Sequence, residues 1–307
     1  MTEHASGVVV ACHRDEWEVA VEGRGVLRSS ARGRQFLEIT GGDKPIVPGD
    51  RVSIEVLDDG SGVIEGVLPR ETTLSRRLPG SRQVREQVVV ANAEQLVAVA
   101  SLAGPRLNRR LLDRFLVIAE EAGLSSVVVL NKIDLAPEDD CRAVARAYEA
   151  AGYAVLPTCA VDGRGVSELA ATLAGRFSVL TGPSGAGKSS LLNRVDPALD
   201  IRVREISQKT GKGKHTTSSV RVFSLPGGGI VADTPGFREL GLWRVRRDEL
   251  DYLFPEFRPL IPQCRFRGCS HGPEPGCAVK DAVAGGTVDS ERYDSYLKLL
   301  AEIGGQE

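Results

Sequence analysis

The chain has 307 residues, 42% hydrophobic and 26% charged, which suits a globular protein of two or three domains. A formal net charge of −2 removes any argument for a polyanion partner from bulk charge alone. The most apolar stretch, 88–104, is broken by Asn92, Glu94 and Gln95, and the opening MTEHASGVVV lacks the pattern of a secretory signal, so a cytoplasmic protein with no membrane partner is expected.

Residues 1–72 read as short strands between turns: Val8–Cys12, Trp17–Val21, Phe36–Thr40, Arg51–Val56 and Gly62–Val67. Gly41-Gly42-Asp43, Pro48-Gly49-Asp50 and Asp59-Gly60 supply the turns. Five such strands predict a small β-barrel, with an oligonucleotide-binding (OB) fold and an SH3-like barrel both compatible. Residues 73–87 contain Pro79-Gly80, show no periodicity and read as a linker.

From residue 88 to 245 the pattern changes. Strands Val88–Ala91, Leu96–Ser101, Val127–Leu130, Val155–Leu156, Phe177–Leu180, Val220–Leu225 and Ile230–Ala232 interleave with helices Leu107–Ala122, Glu138–Ala151, Val166–Ala174 and Lys188–Val195. Such alternation predicts a mostly parallel α/β sheet. Residues 246–307 are rich in Pro, Arg and Cys and end in a helix near 289–302. Cys12 and Cys141 read as ordinary small apolar residues.

Gly182-Pro183-Ser184-Gly185-Ala186-Gly187-Lys188-Ser189-Ser190 fits G-x-x-x-x-G-K-[ST] between a predicted strand and a predicted helix. Its glycines let backbone N–H groups converge on phosphate oxygens, with the helix N-terminus adding a favourable dipole. Lys188 is expected on the β- and γ-phosphates and Ser189 on Mg²⁺. Asn131-Lys132-Ile133-Asp134 follows another strand. A carboxylate at Asp134 accepts from guanine N1–H and the 2-amino group together, which adenine cannot supply. Cys159-Ala160 is placed to meet guanine O6 through its backbone. Asp233-Thr234-Pro235-Gly236 would hold the Mg²⁺ shell through Asp233 and sense the γ-phosphate through the Gly236 amide. Either Thr216 or Thr217, in the basic segment 202–221, is the candidate switch ligand to Mg²⁺. The chain therefore runs from base motif to phosphate loop to DTPG, a circular permutation of the usual order.

Phe237 follows DTPG, where a glutamine would orient water. His215 is the candidate replacement for that role, beside its alternative readings as an exposed loop residue or an RNA contact. Cys264-x4-Cys269-x-His271-x5-Cys277 offers three thiolates and an imidazole, a closed set suited to one structural Zn²⁺. Arg258, Arg265 and Arg267 crowd the same region, as Arg76, Arg77, Arg82 and Arg85 crowd the linker, and such patches suit either phosphate binding or a solvated surface.

NKID, GPSGAGKSS, KGKHTT, DTPGF, VLPRETTLSRR and LLDRFLVIAEEAG, lying between a barrel and a cysteine cluster, resemble the ribosome small-subunit-dependent GTPase A (RsgA/YjeQ) family. The resemblance implies an OB-fold barrel, a permuted P-loop GTPase domain and a zinc domain. It also implies GTP hydrolysis stimulated by the small ribosomal subunit, binding of that subunit and its rRNA, and action late in its maturation; His215 is the residue it points to for catalysis. Cys159 departs from the Ser-Ala pair usual there, with small effect expected because the contact runs through backbone. Two other readings stand beside this one: an RNA-binding protein using GTP as a conformational ligand, and a permuted GTPase acting on the large subunit. Nothing in the sequence demands an oligomer, so a monomer is expected. Because the sensor Gly236 leads through 237–263 into the cysteine cluster, GTP and GDP are expected to aim that cluster differently.

Overall fold

The computed structural model describes residues 3–13, 16–31, 46–77, 86–201, 220–233, 242 and 244–304. The first strands are β1 (Glu3–Cys12), β2 (Trp17–Val21), β3 (Gly25–Ala31), β4 (Arg51–Val56) and β5 (Gly62–Val67). They close into a barrel of order β1-β2-β3-β5-β4, with β1 antiparallel to β4 and β3 parallel to β5. A parallel pair cannot be joined by a hairpin, so the path is the Greek key of an OB fold. Val9, Val19, Val21, Ile46, Val52, Ile54 and Ile64 fill its interior.

The strand expected at Phe36–Thr40 lies outside the described residues. The third barrel strand is β3, which the sequence conceals because Ser29, a polar residue, takes one of its buried positions. The segment read as a linker begins with β6 (Thr73–Arg77), which pairs antiparallel with β7 (Glu86–Ala91). A register shift between Leu74 and Ser75 buries both side chains, and that bulge hides the period-two signal.

Next come β8 (Gln95–Ser101), helix α1 (Arg109–Glu121), β9 (Ser125–Asn131), α2 (Glu138–Ala150), β10 (Ala154–Thr158), α3 (Val166–Leu173), β11 (Phe177–Thr181), α4 (Lys188–Val195), β12 (Arg221–Ser224) and β13 (Ile230–Asp233). The sheet order is β10-β9-β8-β11-β13-β12. β9 runs parallel to both β8 and β10, while β12 is an antiparallel edge joined to β13 by a glycine-rich turn. All seven residues of β8 are buried, as expected of a strand covered on both faces. Asn108 caps α1 by accepting from Leu111 N–H at 3.0 Å. The chain ends in helices α5 (Ala278–Ala284) and α6 (Ser290–Gly304).

The described residues form two compact units. One draws on Met1–Glu94, Leu173–Val179 and Lys209–Gly241, the other on Gln95–Thr172, Leu180–Gln208 and Leu242–Glu307. Among the described residues no helix is long and apolar enough to cross a membrane.

Candidate nucleotide site and metal centre

β11 delivers the chain into residues 182–187, and α4 begins at Lys188. Two glycines of this turn admit no side chain. Gly182 has φ +144°, and a Cβ there would lie 2.1 Å from Val99 O; Gly187 has φ +94°, and its Cβ would lie 2.2 Å from Asn131 Nδ2. The Lys188 ammonium curls over the loop and donates to Gly182 O at 2.8 Å and Pro183 O at 3.3 Å. Ser189 and Ser190 follow in the first turn of α4.

The base motif leaves the end of β9. Asn131 is buried, accepts from Thr158 Oγ1 at 3.3 Å and donates through Nδ2 to Ala186 O at 2.8 Å. One side chain thus ties NKID to the phosphate loop. Lys132 adopts left-handed backbone, φ +63°, and its ammonium donates to Gly104 O. Ile133 and Asp134 lie in a single 3₁₀ turn, with Asp134 exposed. Cys159 is buried, and that burial pushes its thiol above the ordinary range, so it keeps its proton. Its Sγ donates to Asp134 Oδ1 at 3.2 Å. The side chain expected to matter little therefore touches the carboxylate assigned to guanine. Ala160 O accepts from Arg194 Nε at 2.7 Å, and Val161 O accepts from the same guanidinium. Arg194 carries no motif and is invisible in the sequence.

Asp233 ends β13 in the other unit. Thr216, Thr217, His215 and Gly236 lie outside the described residues.

Cys264, Cys269, His271 and Cys277 come together, with all four ligand atoms within 4.8 Å of one another. His271 Nδ1 lies 3.3 Å from Cys277 Sγ and 3.6 Å from Cys264 Sγ, and these two sulfurs are 4.0 Å apart. A tetrahedral zinc with Zn–S of about 2.3 Å and Zn–N of about 2.0 Å sets sulfurs about 3.8 Å apart and sulfur and nitrogen about 3.5 Å apart. The donor set fits such an ion. Burial pushes the Cys269 thiol up to about 12, so a bound cation is what would hold it as thiolate.

The loop carrying these ligands is held from several sides. His271 is buried with φ +57°; its carbonyl accepts from Tyr293 OH at 2.6 Å, and its Nε2 lies 3.2 Å from Asp251 Oδ2. Tyr296 OH donates to Ser270 O at 2.9 Å. Glu274 accepts from the Ser270 hydroxyl at 2.7 Å, from Ser270 N–H at 3.1 Å and from Gly272 N–H at 3.1 Å, bonds that hold its carboxyl down to about 2.

The same segment is fastened to α1. Arg292, 1% exposed, donates to Asp113 Oδ1 at 2.6 Å and to Glu256 at 2.5 and 3.0 Å. Its guanidinium packs over the rings of Tyr148, Tyr153 and Phe254. Arg258 pairs with Glu120 of α1 at 2.6 Å and donates to Tyr252 O. Of the three arginines read as a basic patch, Arg258 is thus engaged within the fold. Arg265 and Arg267 are exposed, and Phe266 between them is 45% exposed.

The sequence profile of the RsgA GTPase family matches residues 67–243. The chain is 44% identical to the small ribosomal subunit biogenesis GTPase RsgA of Gemmatimonas aurantiaca, covering all of both chains. It is 43% identical to the protein of the same name from Moorella thermoacetica, covering 94% of each. Its fold is similar to YjeQ from Thermotoga maritima, with a TM-score of 0.81, 35% identity, and coverage of 99% of this chain and 100% of that one. It is also similar to YloQ, a circularly permuted GTPase, with a TM-score of 0.78, 29% identity, and coverage of 99% and 96%. Joined to a base motif bonded to a phosphate loop that follows it in the chain, these matches mean that the chain belongs to the RsgA GTPase family and is a GTP hydrolase.

Proposed function

We propose that this chain binds the small ribosomal subunit and its rRNA and hydrolyses GTP to drive or check a late step of that subunit's maturation. The observation that carries the nucleotide half is the Asn131–Ala186 bond, which fixes the guanine-reading strand end against the phosphate cradle. The subunit half rests on two relatives, both small ribosomal subunit biogenesis GTPases, that cover 100% and 94% of this chain.

In this reading the backbone of 182–187 receives the phosphates and Lys188 swings from its two carbonyls onto them. Ser189, Asp233 and one of Thr216 and Thr217 would hold Mg²⁺, which would supply positive charge beside the transferred phosphoryl group. Asp134, with Cys159 and Ala160 beside it, reads the base. His215 orients water, a role open because Phe237 cannot fill it; His215→Ala is expected to abolish subunit-stimulated turnover while leaving GTP binding intact. The cysteine–histidine centre takes a structural zinc. We assign residues 1–72 to the barrel, 73–87 to a connector, 88–245 to the GTPase domain and 246–307 to the zinc domain, acting as a monomer.

The test is GTP turnover measured with no subunits, with small subunits and with large subunits. Stimulation by small subunits alone is expected. Equal rates in all three, or stimulation by large subunits, would overturn the reading.

A further inference from the structure

We infer that Asp251 is a positioning residue for the metal centre: it selects the imidazole nitrogen of His271 that faces the three sulfurs, and so sets how tightly the ion is held. The inference rests on the zinc reading above. A neutral imidazole has one N–H and one lone pair, and either nitrogen can ligate. Here Nε2 lies 3.2 Å from Asp251 Oδ2 while Nδ1 lies 3.3 Å from Cys277 Sγ. An ionised carboxylate only accepts, so the proton belongs on Nε2 and the lone pair of Nδ1 points at the thiolates.

Asp251 stands outside the cysteine-rich loop, in the 3₁₀ turn Leu250–Leu253. Its other oxygen accepts from Tyr252 N–H at 2.8 Å, which fixes the plane of the carboxylate. The rings of Phe257 and Tyr296 flank the imidazole, each with its centroid 6.0 Å away, so the ring cannot turn over without displacing them. A carboxylate behind a ligating imidazole also makes the lone pair more basic, and loss of such a partner typically lowers metal affinity about 10–100-fold.

The test uses the zinc-loaded full chain and follows transfer of zinc to a chromophoric chelator at fixed pH for the wild type, Asp251→Asn and Asp251→Ala. Affinity is expected to fall about 10–100-fold in Asp251→Ala and by less in Asp251→Asn, which keeps an acceptor oxygen but not the charge. Asp248→Asn, at an exposed carboxylate in the same stretch, is expected to match the wild type. Should the Asp251 variants not fold, the wild type decides: long-range ¹H–¹⁵N correlation of the His271 ring is expected to place the proton on Nε2, and a proton on Nδ1 overturns the inference. Folded variants that retain zinc like the wild type overturn it too. A wild type that takes up no zinc overturns the metal reading, and the inference with it.

Discussion

At the scale of single residues, two side chains without any motif shape the guanine loop. Cys159 donates to Asp134, and Arg194 holds the carbonyls of Ala160 and Val161. A thiol donor is weak, so Cys159→Ala is expected to raise the Kd for GDP about 2–5-fold and Cys159→Ser to leave it unchanged. Arg194 makes two charge-assisted bonds from an exposed position, and Arg194→Ala is expected to raise the same Kd about 3–10-fold. Titration with a fluorescent GDP analogue measures both, and an Arg194→Ala protein that binds like the wild type would remove the role given to that residue. Asn131, Asp134, Lys188 and the cysteine–histidine set could be named from the sequence because their chemistry fixes residue type at short spacing. Arg194 and Asp251 could not, since their partners lie 33 or 34 and 20 residues away and only folding brings them together.

At the scale of elements, sequence pattern succeeded where burial is uniform and failed where it is mixed. β8 is apolar through most of its length and wholly buried, and α1 announces itself by apolar spacing. β3 hid behind the inward Ser29, and β6 behind the bulge at Leu74–Ser75. The turn from β11 to α4 shows the tightest link between sequence and shape. Its φ of +144° at Gly182 and the nearness of Val99 O leave no room for a methyl group. Gly182→Ala is therefore expected to lose GTP and GDP binding as measured by calorimetry while keeping the far-ultraviolet circular dichroism of the wild type.

At the scale of the whole molecule, the expectation that nucleotide state aims the cysteine cluster meets a constraint. The residues around that cluster are locked to α1 through Arg292–Asp113, Arg258–Glu120 and the pairing of Arg110 and Arg114 with Glu302. Any displacement of the cluster that keeps these bonds carries α1 along. The Arg292 site also governs stability. Arg292→Met leaves Asp113 and Glu256 as buried acids without their cation and is expected to destabilise the fold by about 3–5 kcal/mol in denaturant titrations at pH 7.5. Asp113→Asn is expected to cost less. Burial holds the Asp113 carboxyl above its usual value in spite of Arg292 beside it. A carboxyl raised on folding contributes its stability at low pH and loses it as pH rises through the raised value. Its ionised form is thus a cost near neutrality, which the amide avoids, and the deficit of Asp113→Asn relative to wild type is expected to shrink as pH increases.

The Arg292–Asp113 pair spans 179 residues of sequence. During synthesis Asp113 leaves the ribosome long before its guanidinium exists, and at about 5–20 residues per second the wait is about 10–40 s. For that interval α1 carries a carboxylate whose destined buried site lacks its cation and the Ser295 hydroxyl beside it. The helix α6, which supplies that cation, thus finishes the seating of α1, the first helix of the nucleotide-binding sheet, and α1 is completed only after the whole span between them has been translated.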